Sequence, residues 1–461
     1  MSICLSGINA KSKAIAVTIL PSEKHPLVRL AQVIPWEELS RLVLADLRDS
    51  TITKVLNIGR KLKLRTHLGV YLLQQMKGLT DRETEWQVKD NVAYQIFCGA
   101  GVVDNWKAPD HTKIEEFRSR MSPETQRNIA NAVVTLGVKL GYADPTKMDQ
   151  DSTVQEAGMT YPADARLLVK MGGMCEKVYN FLLDQFPTDG LERLNFKKIK
   201  SAARDYFFGL KYDIEVKKEN FKSLYYTTFL ECCKAMQLNL ASRHVAAFPW
   251  NIRRAWEQIQ KFAKKYFHDV EQFIFTGSMV KDKVMSFHLS EVACFNKMKE
   301  GKDLQFGRQI QLGRVGGNFV IVPESSTIRM EDKQSVLAMI KEHQELFGKG
   351  TLMSYGTDKG YYSKKNQKIL NAVEGLTQTH LQRPGQDLSK LSAQISAEKT
   401  ALANRRAGIE PLIGHIKHKG QLGRSRMKND RSTLASAYAA VGAFNLRQLI
   451  RHQQGKKIKA M

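Results

Sequence analysis

Apolar positions recur at helical spacing through the first third of the chain. Leu64, Leu68, Tyr71, Leu72, Met76 and Leu79 follow a period near 3.6, predicting a helical bundle over Leu62–Gly101. Thr80 or Asp81, with Glu83 following, reads as the N-cap of a second helix. The second half of His25–Leu47 has the spacing of a helix beginning near Pro35. In Ala108–Glu124, Asp110 or Thr112 caps a further helix, and His111 reads as a capping or packing residue.

The pattern changes at Gly141. Turn residues lead into a short segment that sets Asp149 and Asp151 on one face of a strand. Asp164 reads as the N-cap of the helix that follows. Helical spacing then runs from about Ala165 to Phe275 with few turn signals. Alternating or β-rich runs occupy Val280–Ser325, namely KVMSFH, FGRQIQLGR and GNFVIVPES, with Gly316–Gly317 as the hairpin turn. An amphipathic helix, Lys333–Phe347, stops at Gly348. TLMSYGTD reads as a buried strand ending at Asp358, where open sheets place ligand sites; taken alone, Asp358 also reads as an ordinary turn residue. A polar linker with Pro384–Gly385 precedes a helix over Ser389–Arg406. STLASAYAAVGAFNLRQLI packs as a last apolar helix before a basic tail.

Charge narrows the class. The 461 residues carry a formal net charge of +25, which calls for a polyanionic partner, nucleic acid first and a membrane surface second. No apolar run of about 18 residues and no signal peptide is evident, so a cytoplasmic protein without a membrane span is expected. Six cysteines form no CxxC pair, arguing against zinc fingers and a disulfide framework. The charge concentrates in Asn404–Arg431, NRRAGIEPLIGHIKHKGQLGRSRMKNDR, which holds eight Lys/Arg and two acids. Arg406, Glu410 and Lys417, at offsets of four and seven, share one helical face. Pro411 breaks or restarts that helix and places Glu410 in a first turn, where an anion is favoured. A solvated basic face with one incidental acid is the plain alternative.

The spacing Arg, three residues, Glu, six residues, Lys resembles the C-terminal signature of insertion-sequence transposases of the DDE type, in the broad group around insertion sequence five. The usual signature has a Tyr three residues before the Arg; here that position is Ala403. DSTVQEAGMTYPAD is similar to the motif of that group's first acid and assigns it to Asp151. YGTDKGY resembles the D-x-GY of the second, Asp358. APDHTKIEEFRSR resembles the end of the group's N-terminal domain.

What the resemblance implies is specific. Asp151, Asp358 and Glu410 would be the catalytic acids and hold two Mg²⁺ (or Mn²⁺) ions per site. The fold class would be α/β: an RNase-H-like mixed sheet with flanking helices, interrupted by an all-α insertion and preceded by an all-α DNA-binding domain. The boundaries would be 1–140 for the N-terminal domain, 141–165 and 279–461 for the catalytic domain, and 166–278 for the insertion. Arg405, Arg406, Lys417, Lys419, Arg424 and Arg426 would contact DNA, joined from the insertion by Trp250, Arg253 and Arg254. The partners would be double-stranded DNA of the element's ends and of the target, bound by a homodimer or higher assembly near the nucleoid. The rival readings are a catalytically inactive DNA-binding descendant, a nuclease that cuts without joining, and a basic scaffold or RNA-binding protein.

Overall fold

The computed structural model describes residues 3–5, 17–19, 22–49, 63–99, 107–185, 193–209, 211, 213–236, 245–280, 282–296, 304–324, 330–383, 385 and 393–455. Pro384, the start of the helix expected from Ser389, and the tail after Gly455 lie outside the described residues. The chain divides into two compact units, one of Met1–Gly158 with Cys294–Met461, the other of Met159–Ala293.

The first unit opens with a two-stranded antiparallel pair, β1 (Ile3–Leu5) and β2 (Val17–Ile19). Among the described residues seven helices follow: α1 (Pro26–Val33), α2 (Trp36–Asp49), α3 (Leu64–Lys77), α4 (Asp81–Asp90), α5 (Val92–Phe97), α6 (His111–Arg120) and α7 (Pro123–Lys139). Their starts are written in the sequence. Thr80 and Glu83 form a reciprocal capping box on α4, and Asp110 caps α6 by accepting from the Lys113 amide. His111 packs as expected, its Nδ1 2.8 Å from Oε2 of Glu85.

The sheet comprises β3 (Asp144–Glu156), β4 (Ala293–Asn296), β5 (Leu304–Gly316), β6 (Phe319–Ile321), β7 (Ser354–Thr357) and β8 (Gln378–His380). Its order is β4-β5-β3-β7-β8, with β6 on β5. β3 is antiparallel to β5 and parallel to β7, which is parallel to β8, so the sheet is mixed. The β5–β6 turn falls on Gly317 and Asn318, both at positive φ, one residue later than the pattern suggested. At Gly317 a Cβ would stand 1.9 Å from the carbonyl oxygen of Tyr142.

The remaining helices are α12 (Asp332–Phe347), α13 (Lys364–Asn371), α14 (Ala393–Ala407), α15 (Ile409–Gly420) and α16 (Asp430–Gln453). One apolar core joins Leu68, Leu72, Val133 and Leu446 from the helices to Met148, Val315 and Tyr355 from the sheet. A second joins Ile310 and Leu312 of β5 to Leu412 and Ile416 of α15 and Tyr438 and Phe444 of α16. The N-terminal helices therefore share their core with the sheet. Burying one apolar face of each element against the other layer is what stabilises such an arrangement.

The second unit, which follows β3 in the chain, is helical: α8 (Asp164–Gln185), α9 (Phe196–Gly209), α10 (Ile214–Met236) and α11 (Trp250–Thr276). Two sequence expectations change here. KVMSFH forms no strand; Val284 and Phe287 enter the helical core, with the Phe287 ring edge-on to Tyr266 at 5.0 Å. Asp164 is the first residue of α8 rather than its cap, and its carboxylate takes Nζ of Lys283 at 3.0 Å. No helix among the described residues is long and apolar enough to cross a membrane.

Candidate active site

Parallel register brings the first two acids together. Gln150 of β3 pairs with Thr357 of β7, so Asp151 and Asp358 are the next residues on neighbouring parallel strands. Asp358 leaves the strand as the cap of a 3₁₀ turn, Lys359–Tyr361, with Oδ1 accepting from the Lys359 amide at 2.7 Å. Its side chain is 54% exposed, whereas that of Asp151 is 18% exposed.

The third acid arrives across the sheet. α14 ends at Ala407, the chain passes through Gly408 in helical geometry, and α15 begins at Ile409 with Glu410 in its first turn. The restart expected near Pro411 thus falls at Gly408. Because Gly408 keeps helical dihedrals, Arg406 and Glu410 stay on one face although they belong to two helices.

An ion-paired anchor, not apparent in the sequence, fixes this junction. Asp149 is buried beneath it. Its Oδ2 accepts from Nη2 of Arg314 at 2.7 Å, and its Oδ1 accepts from Nε and Nη2 of Arg405 at 3.0 and 2.8 Å. Arg405 also donates through Nη1 to Oγ of Ser354 at 2.7 Å, and Arg314 donates to the carbonyl of Arg405. Gly356 makes the approach possible, since a Cβ there would lie 2.7 Å from Oδ1 of Asp149. Arg405, expected on DNA phosphates, thus has its guanidinium committed to the sheet.

Arg406, the next residue, sits among the three acids. Its Nη2 donates to Oδ2 of Asp151 at 3.0 Å and lies 3.8 Å from Oδ2 of Asp358. Its Nη1 donates to Oε1 of Glu410 at 3.1 Å. Its Nε is buried without a hydrogen-bond partner among the described residues. The three acids predicted from distant parts of the chain therefore meet around one cation. Among the described residues, no three His, Cys, Asp or Glu side chains stand close enough to hold one metal ion.

Burial raises the Asp151 carboxyl above its ordinary value; Arg406 opposes this, and nearby Asp358 and Asp332 add to it. Asp332, in the first turn of α12, is a fourth acid that the sequence did not single out. Its Oδ1 accepts from Nε2 of Gln309 at 2.8 Å and of Gln311 at 3.0 Å. Gln311 also accepts from Tyr361, and Gln150 donates to Gln311 and to Ser335, so the sheet face toward α12 is a buried polar network. Burial, with Arg406 and Lys399 nearby, lowers the His380 imidazole below its ordinary value.

The other expected DNA contacts are distributed. Lys417 is half-buried two turns along α15, and Lys419 is exposed. Arg424 and Arg426 are exposed on a loop tied to the end of β3, where the Ser425 amide donates to the Glu156 carbonyl at 2.8 Å. In the second unit, Trp250 opens α11 and is 64% exposed. The Arg254 guanidinium lies 5.1 Å from its ring centroid, and Arg253 pairs with Glu257 at 4.0 Å.

Residues 16–120 match the family described as Transposase domain (DUF772). A protein of Rhizobium meliloti, described as uncharacterized protein ORF8 in the nfe locus, is 27% identical over 151 residues, covering 32% of this chain and 69% of that protein. No solved structure matches the chain. The matched domain supports a transposase family.

Proposed function

We propose that this chain is a DDE-type DNA transposase that binds the terminal inverted repeats of an insertion sequence, cleaves at its ends and joins the 3′ ends to target DNA. One observation carries the reading: Asp151, Asp358 and Glu410 converge on a single cationic centre. The first acid lies on a central strand, the second follows its parallel neighbour, and the third starts a helix laid over both. That order supports an RNase-H-like arrangement for the catalytic part.

The donor set fits hard divalent ions in type, and the guanidinium among the acids marks a place where positive charge is stabilised. Asp151, Asp358 and Glu410 would hold two Mg²⁺ or Mn²⁺ ions. Such ions, when bound, supply the charge that activates an oxygen nucleophile and stabilises the leaving oxygen of a phosphodiester. The chain's own residues position the DNA. Arg406 and Lys417 hold phosphates beside the scissile bond, the guanidinium by its planar fork. Lys419, Arg424 and Arg426 follow the backbone, and the helices within residues 16–120 bind the ends. Trp250, with Arg254 at its ring, stacks a base left unpaired at an end. Two ends must be held together, so the working assembly is a homodimer or larger, acting at the nucleoid.

The test is nicking of a duplex carrying the element's own inverted repeats in Mn²⁺. Wild type should nick and then join. Asp151→Ala, Asp358→Ala and Glu410→Ala should each lose nicking about 10³-fold or more while retaining end binding. Nicks without joined products would mark a cut-only nuclease. End binding without nicking in wild type would mark an inactive descendant.

A further inference from the structure

A cavity of about 550 Å³ lies at the β8 side of the sheet, with β8, α13 and α14 around it. Its lining is mostly polar and includes Tyr362, Gln367, Asn371, His380, Arg383 and Lys399. The register of the sheet sets it beside the acids. His380 pairs with Gly356, two residues before Asp358, and Oγ1 of Thr357 donates to the His380 carbonyl at 3.3 Å. Tyr362 directly follows the 3₁₀ turn that Asp358 caps.

α14 provides a second link. Lys399 precedes Arg406 by two turns and therefore lies on the same helical face, about 10 Å away at 1.5 Å per residue. One helix thus sets one cation over the acids and another over the cavity. A DNA strand spaces its charges by about 3.4 Å along the duplex axis, so the cavity is within about three nucleotides of a phosphate at the acids. Among the described residues neither Arg383 nor Lys399 forms an ion pair. Unpaired cations lining a polar concavity focus positive potential toward an anion. The volume suits one nucleotide, within the range of about 300–1,000 Å³ for sites taking small molecules, and is far too small for a duplex.

We propose that this cavity takes one unpaired nucleotide of the DNA strand adjoining the scissile phosphate, with its phosphate between Arg383 and Lys399 and its base on Tyr362 and the side-chain amides. The assignment rests on the proposed transposase reading, but binding of a single strand needs neither ions nor catalysis.

The experiment measures the full-length chain against a short fluorescent oligothymidylate and a fully paired duplex across a salt series. Arg383→Ala with Lys399→Ala should weaken oligothymidylate binding about tenfold and flatten its log–log salt dependence by about 0.7, the contribution of one phosphate on a single strand. Duplex binding should change less than about twofold. Tyr362→Ala should weaken the oligothymidylate without altering the salt slope. The charge-keeping pair Arg383→Lys and Lys399→Arg should bind as wild type, which separates lost charge from lost folding. Unchanged oligothymidylate affinity and slope in the alanine pair, or an equal loss on duplex, would overturn the proposal. So would competition by free thymidine monophosphate as strong, per nucleotide, as by the oligomer. Nicking that fails in wild type while single-strand binding behaves as described would count against the transposase reading alone.

Discussion

Nη2 of Arg406 lies 3.0 Å from Oδ2 of Asp151, a residue 255 positions earlier in the chain. The same guanidinium reaches Glu410, so it stands where a cation is wanted by three carboxylates. If the acids hold divalent ions as proposed, those ions and this guanidinium compete for one place. Unit charges 4 Å apart at an effective dielectric of 20 interact by about 4 kcal/mol, and the exposure of Asp358 and Glu410 reduces that considerably. Arg406→Ala is expected to bind Mn²⁺ about tenfold more tightly than wild type, read by Mn²⁺ paramagnetic resonance, while losing DNA cleavage. Weaker Mn²⁺ binding in that variant would mean that Arg406 organises the acids rather than displacing an ion.

The Asp149 anchor makes a separate prediction. Asp149→Ala leaves Arg314 and Arg405 facing each other without a counter-charge in a buried place. Breaking a buried pair from one side costs about 3–5 kcal/mol. The midpoint of urea unfolding should fall accordingly, and residual folded protein should lose cleavage because the α14–α15 junction no longer holds Arg406 and Glu410 over Asp151. A drop below about 1 kcal/mol would show that water reaches the site and solvates both guanidinium groups.

Much of the site was legible because each acid stands in a local motif: DSTVQEAGMTYPAD, YGTDKGY and the basic run around Glu410. What remained hidden is what depends on pairing across the chain. Arg314 and Arg405 reach Asp149 over separations of 165 and 256 residues; the local spacing singles out Arg406, four residues before Glu410, but gives Arg405 no partner. One faces the sheet and the other faces the acids because consecutive helical residues point about 100° apart. The β-rich run KVMSFH misled for a related reason. Its apolar residues satisfy a helical core as readily as a sheet, and period alone cannot separate the two in a short run.

Trp250 allows stability and function to be separated. The side chain is largely exposed, so Trp250→Ala should shift unfolding by no more than about 0.5 kcal/mol. If the ring stacks an unpaired base, affinity for an end with a frayed terminus should fall by about 1–3 kcal/mol while affinity for a fully paired end is retained. Joined products should fall with it. Equal affinity for frayed and paired ends in both proteins would leave the ring without that role.

The acid side of the stability profile should carry the mark of His343. This ring is buried in α12, its Nε2 donates to the Pro145 carbonyl at 2.7 Å, and it meets Phe347 edge-on at 4.9 Å. Its Nδ1 is buried without a partner among the described residues. Burial lowers the imidazole below its ordinary 6.5, against the weaker opposing effect of the Pro145 carbonyl. The folded ring therefore stays neutral where the unfolded ring takes a proton. Stability from this residue is full above about pH 6.5, declines as pH falls from there to the lowered folded value, and levels off below it. His343→Asn removes that titration, so the stability gap between wild type and variant, measured by urea unfolding at a series of pH values, should narrow on acidification. A constant gap from pH 8 to pH 5 would mean that the folded ring accepts its proton at the ordinary pH.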